Sequence, residues 1–381
     1  MQQKRIPSVY MRGGTSKGVF FRSDVVPSDP VERDAFFLRV LGSPDPYGKQ
    51  VDGMGGATSS TSKVVVIGPS EREDCDVDYL FGAVAIEEPV IDYSGNCGNL
   101  TSAVGPFAIR EGMVNAPQNG MATVRIWQAN LRKRIIAQVP MKNGEVVELG
   151  DFNLDGVTFP AAEIVLDFLD PAADDEGGMF PTGNLIDEVT VPDVGTLDVT
   201  LINVGNPHVF IAAKSLELLG NELPEAINSS SSLLARCEAI RAYCTFKMGL
   251  SASPEEATKL RPHTPKLAFV SPPQDYVCAS GKHVGAESID LTARILSMGK
   301  LHHAMTGTGG VALAAAAGIE GTLVQKISGI AGLNGRQLRI GHSSGSMSVA
   351  ATTTRDSGHW SIEKITMSRS ARRLMEGCVL V

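Results

Sequence analysis

Cys97 stands in the stretch Ser94-Gly95-Asn96-Cys97-Gly98-Asn99, directly ahead of the small-residue, apolar run LTSAVGPFAI. Such a run suits a helix buried on all sides. A cysteine at its entrance lies where unpaired backbone N–H groups and the helix dipole stabilise a thiolate, and the same N–H groups can hold a carboxylate. A small residue chosen for packing would serve there equally well, so the residues alone leave both readings open. Lys63 follows the polar stretch Thr58-Ser59-Ser60-Thr61-Ser62 and opens the apolar run Val64–Ile67. On type and spacing it reads as a surface charge at a strand edge. To act as a base it must be held out of water or close to positive potential.

Three other patterns carry less. Gly341-His342-Ser343-Ser344-Gly345 matches G-x-S-x-G, but a nucleophile elbow needs a helix next, with the acid and then the histidine later in the chain. Here Met347–Thr354 reads as a strand, and only Asp356 and His359, three residues apart, remain as partners. Gly307-Thr308-Gly309-Gly310-Val311-Ala312 matches G-x-G-x-x-A; no convincing strand precedes it and no acidic residue follows at the ribose-binding distance. His302-His303 are adjacent, so their rings diverge on either a strand or a helix and make a poor chelating pair.

The elements that must position these residues alternate. Lys63–Ile67, Ala122–Trp127 and Arg134–Val139 read as strands. A helix is expected over Pro30–Leu41, capped by Asp29, with Glu32 completing a capping box and Gly42 ending it. Another is expected over Ile289–Leu296, with Ile289, Ala293 and Leu296 on one face. An internal echo relates the halves: a polar, glycine-rich loop before LTSAVGPFAI, and Met305-Thr306-Gly307-Thr308-Gly309-Gly310 before VALAAAAGI. Between Asp167 and Pro192 the Asp-, Gly- and Pro-rich segment breaks all periodicity and takes the domain boundary.

Composition bounds the rest. At 381 residues the chain exceeds one comfortable hydrophobic core, so two domains are expected, residues 1–180 and 181–381, with the last residues free to return to the first. A net charge of −8 and short, separate basic stretches (Arg132-Lys133-Arg134; Arg369, Arg372, Arg373) argue against a nucleic-acid partner. Those stretches read as solvated faces. No apolar run has the length of a membrane span or signal peptide, so a cytoplasmic protein is expected. The six cysteines have no CxxC spacing, which weakens zinc and redox readings.

Four blocks in order resemble the PrpF family, within the diaminopimelate-epimerase-like fold: Met11–Gly18, Gly53–Lys63, Asp76–Phe81 and Ser94–Asn99. Gly205-Asn206-Pro207-His208 and Thr306–Gly309 add support in the second half. The resemblance implies an α/β (α+β) fold of two similar domains, each a curved sheet or barrel around a central buried helix, with the active site in the cleft between them. It implies a cofactor-independent, metal-free isomerase of a small unsaturated tricarboxylate, 2-methylaconitate by preference, in the 2-methylcitrate cycle of propionate breakdown. Related acids, 4-oxalomesaconate or methylitaconate, and a non-catalytic accessory role toward a dehydratase are the alternatives. Diaminopimelate epimerases carry a second catalytic cysteine where this chain reads Met305-Thr306-Gly307-Thr308, so the implied catalytic pair is Lys63 with Cys97. Ser16, Ser62, Asn96, Gly98, Asn99, Met305, Thr306, Gly307 and Thr308 are the implied substrate-binding residues. A homo-oligomer and a functional link to a dehydratase stay open.

Overall fold

The computed structural model describes residues 3–172, 177–330, 333, 336–356 and 359–381. Two compact units are present, Met1–Asp167 with Ser368–Val381, and Phe168–Met367. Within the segment where the sequence places a boundary, residues 173–176 lie outside the described residues.

The first unit is a mixed sheet in which Ala371–Leu380, Arg5–Gly13, Ser16–Arg22, Lys63–Pro69, Val77–Val84, Gly120–Gln128 and Lys133–Lys142 pair in turn. The six pairings run antiparallel, antiparallel, parallel, antiparallel, parallel, antiparallel. Both faces of its middle strands are buried, which is why Lys63–Pro69 reads as one unbroken β-branched run. Helix α1 (Pro30–Leu41) covers one face, packing Phe37, Val40 and Leu41 on Val19, Phe21, Val64 and Val66. Its Asp29 cap accepts hydrogen bonds from the N–H groups of Val31 and Glu32, and Gly42 closes it in the left-handed conformation, both as the sequence predicts. Helix α2 (Thr101–Arg110) touches strands across the other face, and its Phe107 ring lies 5.7 Å from that of Phe20. Eight of its ten residues are buried, so the apolar run has no wet side to support a stripe pattern.

The second unit repeats the scheme with other residues. Asp187–Val191, Gly195–Val204, Asn206–Ala212, Lys266–Ser271, Leu291–Ser297, Gln337–His342 and Gly345–Asp356 pair in turn, with the same six senses in the same order. Helices α3 (Pro224–Asn228), α4 (Ser231–Lys247) and α5 (Pro254–Leu260) fill the place that α1 has in the first unit, between the third and fourth strands of the series. Helix α6 (Gly307–Gly318) is buried along its whole length, and α7 (Leu323–Ser328) follows it.

The helix expected at Ile289–Leu296 is a strand, Leu291–Ser297, buried at every residue. Its apolar spacing satisfies a helical face by coincidence, because a strand covered on both sides is apolar throughout and carries no period of its own. Gly341–Gly345 is the tip of a hairpin between Gln337–His342 and Gly345–Asp356, with no helix behind it. Ser344 Oγ is spent on the carbonyl of His303, at 2.5 Å.

Candidate active site

In the first unit three turns converge on one point. Lys17 N–H donates to Ser60 O (3.0 Å), tying the Gly13–Ser16 turn to the polar loop before Lys63. Gly18 sits where a Cβ would come within 2.7 Å of Lys63 O and 3.2 Å of Leu100 Cδ1, so the backbone of Lys63 and the Cys97–Leu100 turn press on the same glycine. Gly14, with φ +51°, is pressed against Asn99: a Cβ there would lie 2.5 Å from Asn99 Oδ1. Only glycine combines that dihedral with that approach.

Lys63 is the first residue of its strand and is 4% exposed. Its Nζ lies 4.9 Å above the Phe81 ring, a contact worth about 0.5–2 kcal/mol to the cation. Among the described residues its ammonium makes no ion pair or hydrogen bond. Cys97 is 7% exposed and its carbonyl accepts from Thr101 N–H (3.0 Å) and Thr101 Oγ1 (3.0 Å), so the cysteine closes the turn that starts α2. That helix has no side-chain cap. Tyr79 joins the two: it shares a strand face with Phe81, two residues on, and abuts Thr101 and the Cys97 backbone. Burial, with the Cys97 sulfur adding, pushes its phenol well above the ordinary tyrosine range. Lys63 and Cys97 therefore lie over the same face of the Val77–Val84 strand.

The remaining first-unit residues differ in what their side chains are free to do. Ser16 is buried and its hydroxyl makes no hydrogen bond among the described residues. Ser62 donates to Gln50 Oε1 (2.6 Å), which also accepts from Ala57 N–H, so this serine braces the loop. Asn96 Oδ1 accepts from Thr101 Oγ1 (3.3 Å). Asn99 donates to Thr15 Oγ1 (2.9 Å) and accepts from Arg369 Nε (3.1 Å). Gly98 sits inside the turn. A cavity of about 280 Å³ in this unit lies against Phe107 and Glu111, at the far end of α2, roughly 15 Å along a ten-residue helix from the cysteine turn.

In the second unit Met305, Thr306, Gly307 and Thr308 form the entrance to α6. Thr306 caps it, accepting from Gly309 N–H at 3.1 Å, and Thr308 Oγ1 accepts from Asn206 Nδ2 at 3.2 Å. His208, fully buried two residues from Asn206, contacts Asn206 O through Nδ1 (2.8 Å), and its Nε2 has no hydrogen-bond partner among the described residues. Burial, with the Lys266 charge adding, lowers its pKa to about 3. No group of three or more His, Cys, Asp or Glu side chains is placed to hold a metal ion among the described residues. None of the described helices is long and apolar enough to cross a membrane.

Reading the sequence alone misses Thr15, Gln50, Tyr79 and Arg369. Arg369 reads there as part of a solvated face and is instead 3% exposed; its neighbours Arg372 and Arg373 supply the misleading basic cluster. Tyr79 lies in one of the recognised blocks, but a tyrosine in a strand is indistinguishable from core.

Residues 3–381 match the PrpF protein family. The chain is 56% identical to the 2-methyl-aconitate isomerase of Cupriavidus necator, covering 100% of this chain and 98% of that one. A crystal structure of methylitaconate-delta-isomerase superposes with a TM-score of 0.77 at 40% identity, covering 100% of this chain and 96% of that one. A hydroxyproline epimerase from Agrobacterium vitis, at 12% identity, shares the fold with a TM-score of 0.57 over 100% of this chain and 94% of that one. With a family match along nearly its whole length and isomerases among its relatives, the chain is an isomerase and belongs to the PrpF family.

Proposed function

We propose that this enzyme interconverts the cis and trans forms of 2-methylaconitate by removing and returning a proton, with Lys63 and Cys97 as the paired acid–base groups. The observation that carries the pair is their common placement: both lie buried over one strand face, beside Phe81 and Tyr79, at the uncapped entrance of α2. The substrate rests on the relative from Cupriavidus necator.

One group takes a proton from a carbon made acidic by conjugation to a carboxylate, and the electron pair left behind spreads into a dienolate. The former double bond then has single-bond character and rotates. Return of a proton to the same carbon restores the alkene in the other geometry, so atoms and charge balance with no oxidant or nucleotide. Ser16, Ser62, Asn96, Gly98, Asn99, Met305, Thr306, Gly307 and Thr308 are the residues assigned to carboxylate binding and to the developing charge. On this reading the enzyme serves the cytoplasmic 2-methylcitrate cycle, and a dehydratase handling the same acid is its functional neighbour.

The experiment is proton exchange. Enzyme dialysed free of small molecules is incubated with 2-methylaconitate, trans-aconitate or methylitaconate in deuterated water, and the vinyl, methyl and methylene signals are followed by NMR. Deuterium entering 2-methylaconitate in step with cis–trans conversion is expected. Conversion of methylitaconate alone would move the substrate assignment, and binding without exchange would leave an accessory role.

A further inference from the structure

We propose that Arg369 is a positioning residue for this reaction, holding the turn that carries Cys97 by fixing the amide of Asn99; the inference rests on the assignment of Cys97 above. Arg369 ends the long strand His359–Arg369 and belongs to the first unit through the return of the chain's last residues. Its guanidinium is buried, which lowers its pKa to about 10 and leaves it protonated at neutral pH. Taking a charge out of water is costly, and a Leu or Met would fill the same volume without that cost.

The charge gives orientation in return. Arg369 Nε donates to Asn99 Oδ1, while Nη1 donates to Ser368 O at 2.9 Å. A guanidinium has donors only, so it accepts one face of the Asn99 amide and rejects the other: flipped, the amide would set its NH₂ against an N–H. With Oδ1 fixed, Nδ2 must point to Thr15 Oγ1. The next residue completes the clamp. Ser370 O accepts from Gly14 N–H (2.8 Å), Arg12 Nη1 (2.9 Å) and Ser102 Oγ (3.2 Å), and Ser102 Oγ also reaches Asn99 O (2.8 Å). Arg369-Ser370 thus bolts the Gly13–Ser16 turn to the first residues of α2. Asn99 lies inside the turn closed by Thr101 N–H on Cys97 O, so a rotation of Asn99 re-aims the cysteine two residues before it.

The test compares Arg369→Met and Arg369→Lys with the parent enzyme and with Cys97→Ala. A reacting group misplaced by about 1 Å costs on the order of 10²-fold in rate. We expect Arg369→Met to lower kcat by about 10- to 100-fold with a smaller rise in KM, since Asn99 is also assigned to carboxylate binding, and to change the rate at which iodoacetamide labels Cys97. Arg369→Lys, which keeps the charge but not the planar fork, recovers part of kcat. Should Arg369→Met not fold, Arg369→Lys decides alone: a kcat that falls further than KM rises supports the inference, and a parental kcat overturns it. Parental kcat and labelling in a folded Arg369→Met also overturn it. If Cys97→Ala keeps full activity, the acid–base reading itself fails, whatever Arg369 does.

Discussion

The two units carry the same piece of architecture, a buried helix entered from a polar loop amid strands paired in the same six senses, and they finish it differently. At α6 the entrance is closed: Thr306 caps Gly309 N–H, and Thr308 is engaged by Asn206. At α2 no side chain caps the first turn. The residue that closes that turn through its carbonyl is Cys97, whose sulfur makes no hydrogen bond among the described residues. A cap is worth about 1 kcal/mol to a helix. At α2 the first N–H groups are satisfied by the chain itself, Thr101 on Cys97 O, Ser102 on Asn99 O and Ala103 on Leu100 O, so no side-chain cap is needed to pair them.

The contrast breaks first at the cysteine. Cys97→Ala is expected to lower turnover by about 10³-fold or more, the scale of a lost general acid or base, while the thermal midpoint stays within a few degrees because a single small atom is removed. Thr306→Ala, which removes the α6 cap, should show a smaller ratio of activity loss to stability loss. Steady-state rates beside calorimetric melting decide it, and near-normal turnover in Cys97→Ala would make the two entrances equivalent packing sites.

Lys63 comes next. Lys63→Met should lose about 10²-fold or more, and the double variant with Cys97→Ala should fall little further, since groups acting as a unit are strongly non-additive. Losses that multiply would separate the two roles. Lys63→Arg keeps the cation over Phe81 and removes any accessible neutral amine. A nearly active arginine variant would recast Lys63 as an electrostatic anchor for a carboxylate.

What the sequence made legible follows from what was local. Asp29, Pro30 and Gly42 each act on residues within a few positions of themselves, so α1 was readable to its ends; Cys97 could be placed at a helix entrance for the same reason. Leu291–Ser297 was not, because burial on both faces erases the period that separates strand from helix. Arg369 was hidden by distance. It meets Asn99 across 270 positions, and nothing in the order Ser368-Arg369-Ser370 distinguishes a buried clamp from a solvated charge.

A third prediction sharpens the structural side of the comparison through His208. Its pKa is lowered in the folded protein, chiefly by burial, to about 3, against an ordinary value of about 6.5. Between those values the unfolded chain binds a proton that the folded chain refuses. The stabilisation is therefore full above about pH 6.5 and is lost as pH falls toward 3, at up to about 1.4 kcal/mol per pH unit. His208→Gln retains an amide donor for Asn206 O and has no titration. Urea midpoints at pH 7 and pH 5 should show the parent losing about 2 kcal/mol more than the variant over that interval. Equal losses would mean that His208 titrates normally.

The smallest expected effect is at Thr306, and it asks whether the α6 cap is a stability device. The hydroxyl accepts from Gly309 N–H, and α6 consists almost wholly of Gly and Ala, with no aliphatic stripe to anchor it beyond Val311 and Leu313. Four glycines in a twelve-residue helix weaken it by roughly 0.5–1 kcal/mol each relative to alanine, so a cap of about 1 kcal/mol offsets about one of them. Thr306→Ala should lower the stability of the second unit by about 1 kcal/mol, and Thr306→Ser, which keeps the accepting oxygen, by only a few tenths. Hydrogen exchange resolves this where a global melt would not: the amide of Gly309 should lose protection in Thr306→Ala and keep it in Thr306→Ser. If serine fails to restore that protection, the threonine methyl rather than its oxygen holds the entrance. The two helix starts would then differ in packing rather than in capping.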